Sequence, residues 1–160
     1  IGWVRADESV IARLTRLKTT SDLATPLWCQ VVAAKAMKNI EEIRAFRRAL
    51  FSEKVRFALA LLQKHLPEWE CEMPRGGFVL WAKLPVADTR PFAQLARRYG
   101  VNIIGGAAMT FDDSSRNYVR ISCTLDDARI ALGVERLAQA WTAFRSKPYA
   151  HLEPAELLVV

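Results

Sequence analysis

The fold of this chain is decided by the stretch NYVRISC, Asn117–Cys123. Successive side chains of a β-strand point to opposite faces, so Val119, Ile121 and Cys123 would share one apolar face. The other face would carry Arg120 between polar or hydroxylated side chains. One guanidinium on a rigid strand is suited to holding a carboxylate, because its planar group makes two parallel charge-assisted hydrogen bonds. The alternative is a structural arginine whose stem lies along the sheet and whose head is solvated.

Three further strands are predicted by short apolar runs bounded by Pro or Gly, namely Trp69–Met73, Phe78–Ala82 and Val101–Ile104. The run Phe78–Ala82 is apolar on both faces, which is typical of a central strand covered on both sides. Between the last two strands we expect a helix that is capped by Asp88 or Thr89. Gly100 should end this helix in the left-handed conformation.

The clearest helix signal follows the opening stretch. Thr124 and Asp127 resemble a capping box, with Asp in place of the usual Glu or Gln. An amphipathic stripe then runs through Ile130, Val134, Leu137, Trp141 and Phe144. Gly133 within it costs about 1 kcal/mol relative to Ala, and this predicts close packing of the helix on a neighbour at that point.

The first part of the chain is predicted to be helical. Asp7–Ser9 can begin a short helix, and a polar loop then leads to Pro26. Between Leu27 and Leu66 there is no Pro or Gly, which predicts either one long helix or two helices with a break near Ala34–Asn39. The order of elements predicts an α/β fold: a small, mostly antiparallel sheet with helices packed on one face, preceded by a long interdomain helix.

Composition limits the class of protein. The 160 residues are 51% hydrophobic and 25% charged, as expected for a globular domain and not for a disordered chain. The net charge is +6, and most of the excess lies between residues 35 and 64. No aromatic residues alternate with those charges as a single-strand nucleic-acid binder would need. A solvated helix face is the stronger interpretation, and weak phosphate binding is the alternative.

Neither a disulfide framework nor a metal site is expected. The three cysteines, Cys29, Cys71 and Cys123, are far apart, and His65 and His151 have no ligand-spaced partner. No apolar run approaches the roughly 20 residues of a membrane span. We therefore expect a cytoplasmic protein without a membrane partner. Because the chain starts at Ile1 without a Met, we also expect it to be a fragment.

Several motifs carry a resemblance to a known family. The segment PRGGFVLW, Pro74–Trp81, with Leu84 and Pro85 resembles the P-x-G-G-x-x-x-W-x-x-L-P signature of fold type I, class I/II, pyridoxal-phosphate aminotransferases. Other matching segments occur in the order of that family: Ile1–Val4, Asp22–Pro26, Gln30, Gly100–Gly106 and Val119–Ser122. The resemblance covers about Ile1–Phe144. Within that family, the sequence most resembles the MocR subfamily of GntR-type regulators. In these regulators an aminotransferase-like domain follows a winged-helix DNA-binding domain.

The resemblance implies a division of the chain. Residues 1–26 would be a remnant of the aminotransferase large domain and 27–66 the interdomain helix. Residues 67–146 would be the C-terminal small domain and 147–160 a tail. In the family the lysine that forms the Schiff base precedes the Gly-Trp strand, so this chain is expected to contain no catalytic residue and to be inactive alone. Pyridoxal 5'-phosphate is expected in the full-length protein, and none bound to this fragment.

The resemblance also implies roles for two residues. Arg120 aligns with the arginine that grips the substrate α-carboxylate. Thr25 falls in the loop that lies beside the neighbouring subunit's active site in the family dimer. One departure concerns Gly105 and Gly106, where the family usually has Pro-Gly, and this predicts a looser loop.

Two functions are implied by this resemblance. The preferred one is the effector-sensing domain of a MocR/GntR-type transcriptional regulator, in which an amino acid or other carboxylate bound at Arg120 changes DNA affinity. The alternative is a fragment of a working aminotransferase. In both cases the full-length protein is expected to be a homodimer. DNA would be contacted only through an N-terminal domain that is absent here.

Overall fold

Five helices and four strands make up the described part of the chain. The computed structural model describes residues 1–22 and 24–146. The elements are α1 (Glu8–Ser21), α2 (Leu27–Met37), α3 (Ile40–His65), β1 (Glu70–Cys71), β2 (Val79–Lys83), α4 (Arg90–Arg98), β3 (Ile104–Gly105), β4 (Tyr118–Ser122) and α5 (Asp127–Ser146). Short 3₁₀ turns lie at Gly106–Ala108 and Asp113–Ser115. The tail predicted at 147–160 lies outside the described residues.

The chain divides into two compact units, Ile1–Arg47 and Arg48–Val160. In the first unit, α1 begins after Asp7, whose carbonyl oxygen accepts hydrogen bonds from the amides of Val10 and Ile11. Helix α2 begins after Pro26, which is consistent with the extended geometry that proline favours ahead of a helix. Neither α1 nor α2 contains a buried residue.

The long helical run of the sequence is interrupted. The amides of Lys38 and Asn39 donate to the carbonyl oxygens of Lys35 and Ala36, three residues back, which tightens the end of α2 into a turn. The carbonyl of Asn39 then accepts the hydrogen bond from the Ile43 amide, and α3 begins at Ile40. Of the two alternatives for residues 27–66, the structure therefore has two helices, and a single continuous helix is wrong.

The second unit contains a four-stranded sheet in the order β1-β2-β4-β3. All three strand pairs are antiparallel, and β4 lies between β2 and β3. In this register Val119 of β4 is opposite Ala82 of β2 and Gly105 of β3. The predicted small antiparallel sheet in a mixed α/β fold is confirmed.

One face of the sheet packs on helices. Leu80, Ala82 and Val119 are fully buried and share a core with the buried residues of α3, α4 and α5. The helical members of this core are Val55, Ala58, Leu62, Phe92, Ala96, Ile130, Val134, Leu137, Ala140 and Trp141. Burying a Val, Leu, Ile or Phe side chain of this core contributes about 1.5–3 kcal/mol relative to leaving it exposed, and each Ala contributes less. The predicted apolar stripe of α5 is confirmed.

Strand β2 differs from its prediction. Its buried side chains are Leu80 and Ala82, whereas Val79, Trp81 and Lys83 remain partly exposed on the other face. The prediction of a strand covered on both faces is therefore wrong within this unit. The physical reason is that Trp81 is apolar but lies on the outer face, where its ring stacks on Tyr118.

Two predicted features of α5 also differ. The helix is capped by Asp126, whose Oδ1 accepts a hydrogen bond from the Arg129 amide at 2.9 Å. The capping box of Thr124 and Asp127 is therefore wrong. A Cβ placed on Gly133 would meet no atom within 4 Å, so the predicted close packing at Gly133 is wrong as well.

The limits of α4 agree with the sequence. The N-cap residue is Thr89, whose side chain makes no capping hydrogen bond, and one residue earlier Oδ1 of Asp88 accepts a hydrogen bond from the Arg90 amide at 2.8 Å. The Arg90 guanidinium also donates to Asp88, and this hydrogen bond lowers the pKa of the Asp88 carboxyl. Gly100 has φ +77°, which confirms the left-handed end of the helix.

Candidate functional site

Arg120 lies in the middle of β4 on the face of the sheet opposite the core. It is directly opposite Trp81 of β2 on one side and Ile104 of β3 on the other. Side chains at directly opposite positions of antiparallel strands have Cβ atoms about 4.5–5.5 Å apart. The stem of Arg120 therefore rises between two large apolar neighbours, and the residue is partly buried.

A flat aromatic pair lies beside Arg120. Tyr118 precedes it by two residues on the same face of β4, and the Tyr118 ring stacks on that of Trp81 with centroids 5.4 Å apart and planes 13° apart. Next along β2, Lys83 lies opposite both Tyr118 and Glu70. The Nζ of Lys83 donates to Glu70 Oε2 at 2.9 Å. On this face of the sheet, Arg120 is a cation between apolar side chains, whereas Lys83 near the β1 edge is a cation paired with Glu70.

Among the side chains that the structure describes, which do not include that of Asp113, none is an anionic partner of the Arg120 guanidinium. Arg145 of the same unit, by contrast, donates to both carboxylate oxygens of Glu68, at 2.9 and 2.8 Å. A carboxylate that reached Arg120 would meet a positive charge in a partly desolvated setting, where charge-assisted hydrogen bonds are stronger than in water. The arrangement can therefore bind a carboxylate.

Strand β4 is held by polar contacts near both ends. Thr89 is fully buried, and its hydroxyl lies 2.9 Å from the carbonyl oxygen of Tyr118 and 3.0 Å from that of Arg116. Just beyond the other end, the Nζ of Lys54 donates to the carbonyl oxygen of Leu125 at 2.7 Å. These contacts fix the backbone on which Arg120 stands. Sequence reasoning missed them because the partners are 29 and 71 residues apart.

Part of the surroundings of Arg120 was also missed. Strand alternation placed Tyr118 on the face of Arg120, but Trp81 was noted only within the apolar run and the Pro74–Trp81 signature. Their apposition follows from the register of β2 against β4, which places Trp81 opposite Arg120. A signal was available in principle, because both strands were predicted, but the pairing register was not.

The loop after β3 is packed, contrary to the looser loop predicted at Gly105 and Gly106. Gly106 is buried, and a Cβ placed on it would lie 2.0 Å from the carbonyl oxygen of Ser115. A Cβ on Gly105 would lie 3.0 Å from Oγ1 of Thr89. The two glycines thus allow the chain to approach α4 and the second 3₁₀ turn closely, and this explains the absence of larger residues there.

Thr25 belongs to the first unit, between α1 and α2. Its carbonyl oxygen accepts a hydrogen bond from Nε2 of Gln30 at 2.9 Å, which ties the loop to the first turn of α2. Arg120 belongs to the second unit. A contact of Thr25 with a neighbouring subunit stays a prediction.

Residues 1–22 and 24–146 contain no cluster of three or more His, Cys, Asp or Glu side chains that could hold a metal ion. Among the helices that the structure describes, none combines the length and apolar character needed to cross a bilayer.

The lysine on the Arg120 face does not fit a covalent link to pyridoxal phosphate. Such a link needs a neutral amine, and reactive lysines have a lowered pKa. Lys83 has the opposite property: its hydrogen bond to Glu70 raises the pKa of its ammonium group. The described residues around Arg120 thus provide a cation without a described anionic partner, and Lys83 is an unsuitable cofactor lysine.

Known proteins with similar sequences or structures match most of this chain. The model of the family Aminotransferase class I and II matches residues 1–137. Aromatic-amino-acid aminotransferase 1 of Thermococcus litoralis is 29% identical over 148 residues, covering 87% of this chain and 34% of the relative. The uncharacterized HTH-type transcriptional regulator YdfD of Bacillus subtilis is 32% identical over 128 residues, covering 76% of this chain and 26% of the regulator.

Solved structures agree with these relatives. LysN, the α-aminoadipate aminotransferase of Thermus thermophilus, was solved in complex with N-(5'-phosphopyridoxyl)-L-leucine. It superposes with a TM-score of 0.74 and 26% identity over 88% of this chain and 37% of LysN. An archaeal alanine:glyoxylate aminotransferase has a TM-score of 0.72 and 28% identity over 89% of this chain and 37% of its own.

The chain thus spans 26–37% of the length of these relatives and structures. The family match extends through both compact units and includes β4 with Arg120. Together with the antiparallel sheet and its helical layer, these comparisons show that the chain belongs to the class I and II aminotransferase family.

Proposed function

We propose that this chain supplies the amino-acid-binding part of a pyridoxal-phosphate-dependent protein, with Arg120 holding the α-carboxylate of the ligand. The observation that carries the proposal is the guanidinium of Arg120, which stands on a central strand between Trp81 and Ile104 without a carboxylate partner among the described residues. Pyridoxal phosphate would be bound in the full-length protein by groups other than Lys83, whose ammonium group donates a hydrogen bond to Glu70.

The preferred use of this site is effector sensing in a MocR/GntR-type transcriptional regulator. The 32% identity to a helix-turn-helix regulator over 128 residues supports it. An amino acid that binds one arrangement of such a protein more tightly than another shifts the population between them, and this shift can change DNA affinity. DNA would be contacted by another domain of the full-length protein, which we expect to be a cytoplasmic homodimer.

The second candidate is a working aminotransferase in which Arg120 orients the substrate. It is supported by the 29% identity to an aromatic-amino-acid aminotransferase, which extends over 87% of this chain. The sequence of the parent gene on the N-terminal side of Ile1 separates the two candidates. A winged-helix domain there supports the regulator, and a short N-terminal arm before the aminotransferase region supports the enzyme.

The test of the shared proposal is Arg120→Ala in the full-length protein loaded with pyridoxal phosphate. Loss of a hydrogen-bonded charge should weaken amino-acid binding about 10- to 100-fold, measured by isothermal titration calorimetry. Arg120→Lys should bind with intermediate affinity, because an ammonium keeps the charge but loses the planar pair of donors.

The matched control is Arg98→Ala, which removes an exposed arginine from α4. We expect this variant to bind the amino acid as the unmodified protein does. Cofactor absorbance and the melting temperature should be unchanged in all three variants. If Arg120→Ala binds the amino acid with unchanged affinity, Arg120 has only a structural role and the proposed function is wrong.

A further inference from the structure

We propose that Lys54 is a positioning residue that couples ligand binding at Arg120 to helix α3. The proposal concerns the regulation of the same site and therefore rests on the proposed function. The observation that carries it is a polar contact between α3 and the segment after β4. The Nζ of Lys54 donates to the carbonyl oxygen of Leu125 at 2.7 Å and to Oδ1 of Asp127 at 3.3 Å.

The ammonium group of Lys54 is largely withdrawn from water. Only 17% of the Lys54 side chain is exposed, whereas long charged side chains on a helix usually keep their charged end in water. Withdrawing a charge from water is costly unless the charge is paired and hydrogen-bonded. Both partners of Lys54 lie at the junction of β4 and α5, residues 123–127. Lys54 therefore holds α3 to this junction by directional contacts.

The junction continues the strand that carries Arg120. Beyond the end of β4, the amide of Cys123 donates to the carbonyl oxygen of Phe78 at 2.8 Å, so the backbone pairing extends one residue further. Cys123 is fully buried, and Leu125 follows two residues later. A strand that is paired on both edges and packed in a dense core transmits strain along its length. A small displacement of Arg120 on ligand binding should therefore reach Leu125.

The same part of α3 also makes apolar contacts with the second unit. The rings of Phe51 and Phe78 have centroids 5.3 Å apart, and Val55, which follows Lys54, is buried in the core. Apolar contacts are non-directional and permit small sliding movements between packed elements. The hydrogen bond of Lys54 is directional, so we expect α3 to follow a movement of the junction through Lys54.

Helix α3 is suited to pass on such a change. It extends from Ile40 to His65, and the boundary of the two compact units lies between Arg47 and Arg48, so α3 contains residues of both units. Coupling between a ligand and a contact is reciprocal. If the ligand strengthens the Lys54 contact, loss of that contact weakens ligand binding by the same factor.

Hydrogen exchange followed by mass spectrometry tests the coupling in the full-length protein loaded with pyridoxal phosphate. The ligand is the standard L-amino acid that binds most tightly by calorimetry. In the unmodified protein, this ligand should slow amide exchange in α3 around Lys54 at least about fivefold, the lower end of typical coupling factors. Lys54→Met keeps an unbranched side chain without a donor and should reduce this slowing to less than about twofold. Lys54→Arg keeps a charged donor and should retain part of the response.

The matched control is Lys64→Met, because Lys64 is an exposed lysine of the same helix. This control should leave both the exchange response and the ligand affinity unchanged. Lys54→Met should weaken ligand binding about fivefold, by reciprocity. In the Arg120→Ala background the same substitution should weaken it much less, because coupled residues have non-additive effects.

The two proposals fail separately. If Arg120→Ala binds the ligand with unchanged affinity, the proposed function is wrong. If Arg120→Ala weakens the ligand while Lys54→Met keeps the full exchange response and affinity, only the coupling role of Lys54 is wrong. Each variant is compared with its own ligand-free form, so a general loss of stability does not imitate the result. Should Lys54→Met fail to fold, Lys54→Gln, which also lacks the ammonium group, decides the same question.

Discussion

The buried hydroxyl of Thr89 lies 2.9 Å from the carbonyl oxygen of Tyr118, and this contact joins the start of α4 to the strand that carries Arg120. Among the side chains whose burial the structure describes, Thr89 is the only fully buried polar one. Its amide also donates to the carbonyl of Arg116 at 2.9 Å. The strand is therefore fixed two residues before the guanidinium.

Replacing Thr89 tests this contact. Thr89→Val keeps the shape of the side chain but removes the hydroxyl that donates to the Tyr118 carbonyl oxygen, which should cost about 1–3 kcal/mol of unfolding free energy. Thr89→Ser keeps the hydroxyl donor and should lose less unfolding free energy than Thr89→Val. Urea denaturation of the full-length protein measures both, and equal losses in the two variants contradict a role for the hydroxyl.

Gly106 and Gly133 differ in the space that is available for an added Cβ atom, so their alanine variants can be compared. Gly106→Ala would bring a Cβ to 2.0 Å from the Ser115 carbonyl oxygen, so the backbone must shift. We expect a loss of several kcal/mol, the range associated with strained or overpacked sites.

Gly133→Ala is the control for this substitution. Nothing lies within 4 Å of the added Cβ, and Ala is favoured over Gly within a helix by about 1 kcal/mol. The control should therefore raise the melting temperature while Gly106→Ala lowers it. A stable Gly106→Ala variant would show that the loop after β3 can move away from Ser115.

The cap of α5 gives a third prediction. Asp126→Ala removes the oxygen that accepts the Arg129 amide, and it should cost about 1 kcal/mol of unfolding free energy. Thr124→Ala removes a hydroxyl that contacts Ser122 and lies outside the cap, so its effect should be smaller. Chemical denaturation measures the unfolding free energy of both variants. A larger loss of unfolding free energy in Thr124→Ala than in Asp126→Ala would identify Thr124 as the cap.

The cysteines should differ in reactivity. Burial raises the pKa of the Cys71 thiol to about 11 and also raises that of Cys123, which is fully buried. Both thiols are therefore protonated near neutral pH, and the thiolate is the reactive form. Cys29 is exposed and should be alkylated first by iodoacetamide, as followed by peptide mass spectrometry. Equal labelling of all three cysteines in the folded protein contradicts this order.

The raised pKa also predicts a pH dependence with a definite sign. As pH rises above the usual thiol value of 9.0, the unfolded chain releases the Cys71 proton before the folded chain does. The contribution of Cys71 to stability is thus complete below pH 9.0 and is lost as pH approaches about 11. Denaturation curves of Cys71→Ser should lack this part of the alkaline decrease.

Periodic features were predictable from the sequence. The alternation in Asn117–Cys123 placed Arg120 and Val119 on opposite faces correctly, because strand geometry leaves only two choices. The apolar stripe of α5 was also correct, since a 20-residue helix repeats its signal several times. In both cases the information is local and redundant.

Features that depend on distant partners were not predictable. Trp81 is as apolar as a core residue, and only the pairing of β2 with β4 reveals that it faces outward beside Arg120. The close approach of Gly106 depends on the backbone of Ser115 across the loop. The cap of α5 was misplaced because Thr124 and Asp126 are both good capping residues, and the backbone path decides between them.

The two edge strands of the sheet, β1 and β3, are each two residues long, whereas the central strands β2 and β4 have five residues each. Long exposed edges offer unpaired amide and carbonyl groups to other chains and promote aggregation by strand addition. Here β3 passes at once into a 3₁₀ turn at Gly106, and β1 carries the charged Glu70 paired with Lys83. The sheet can therefore expose the face that carries Arg120 while offering only two short edge strands to which another chain could pair.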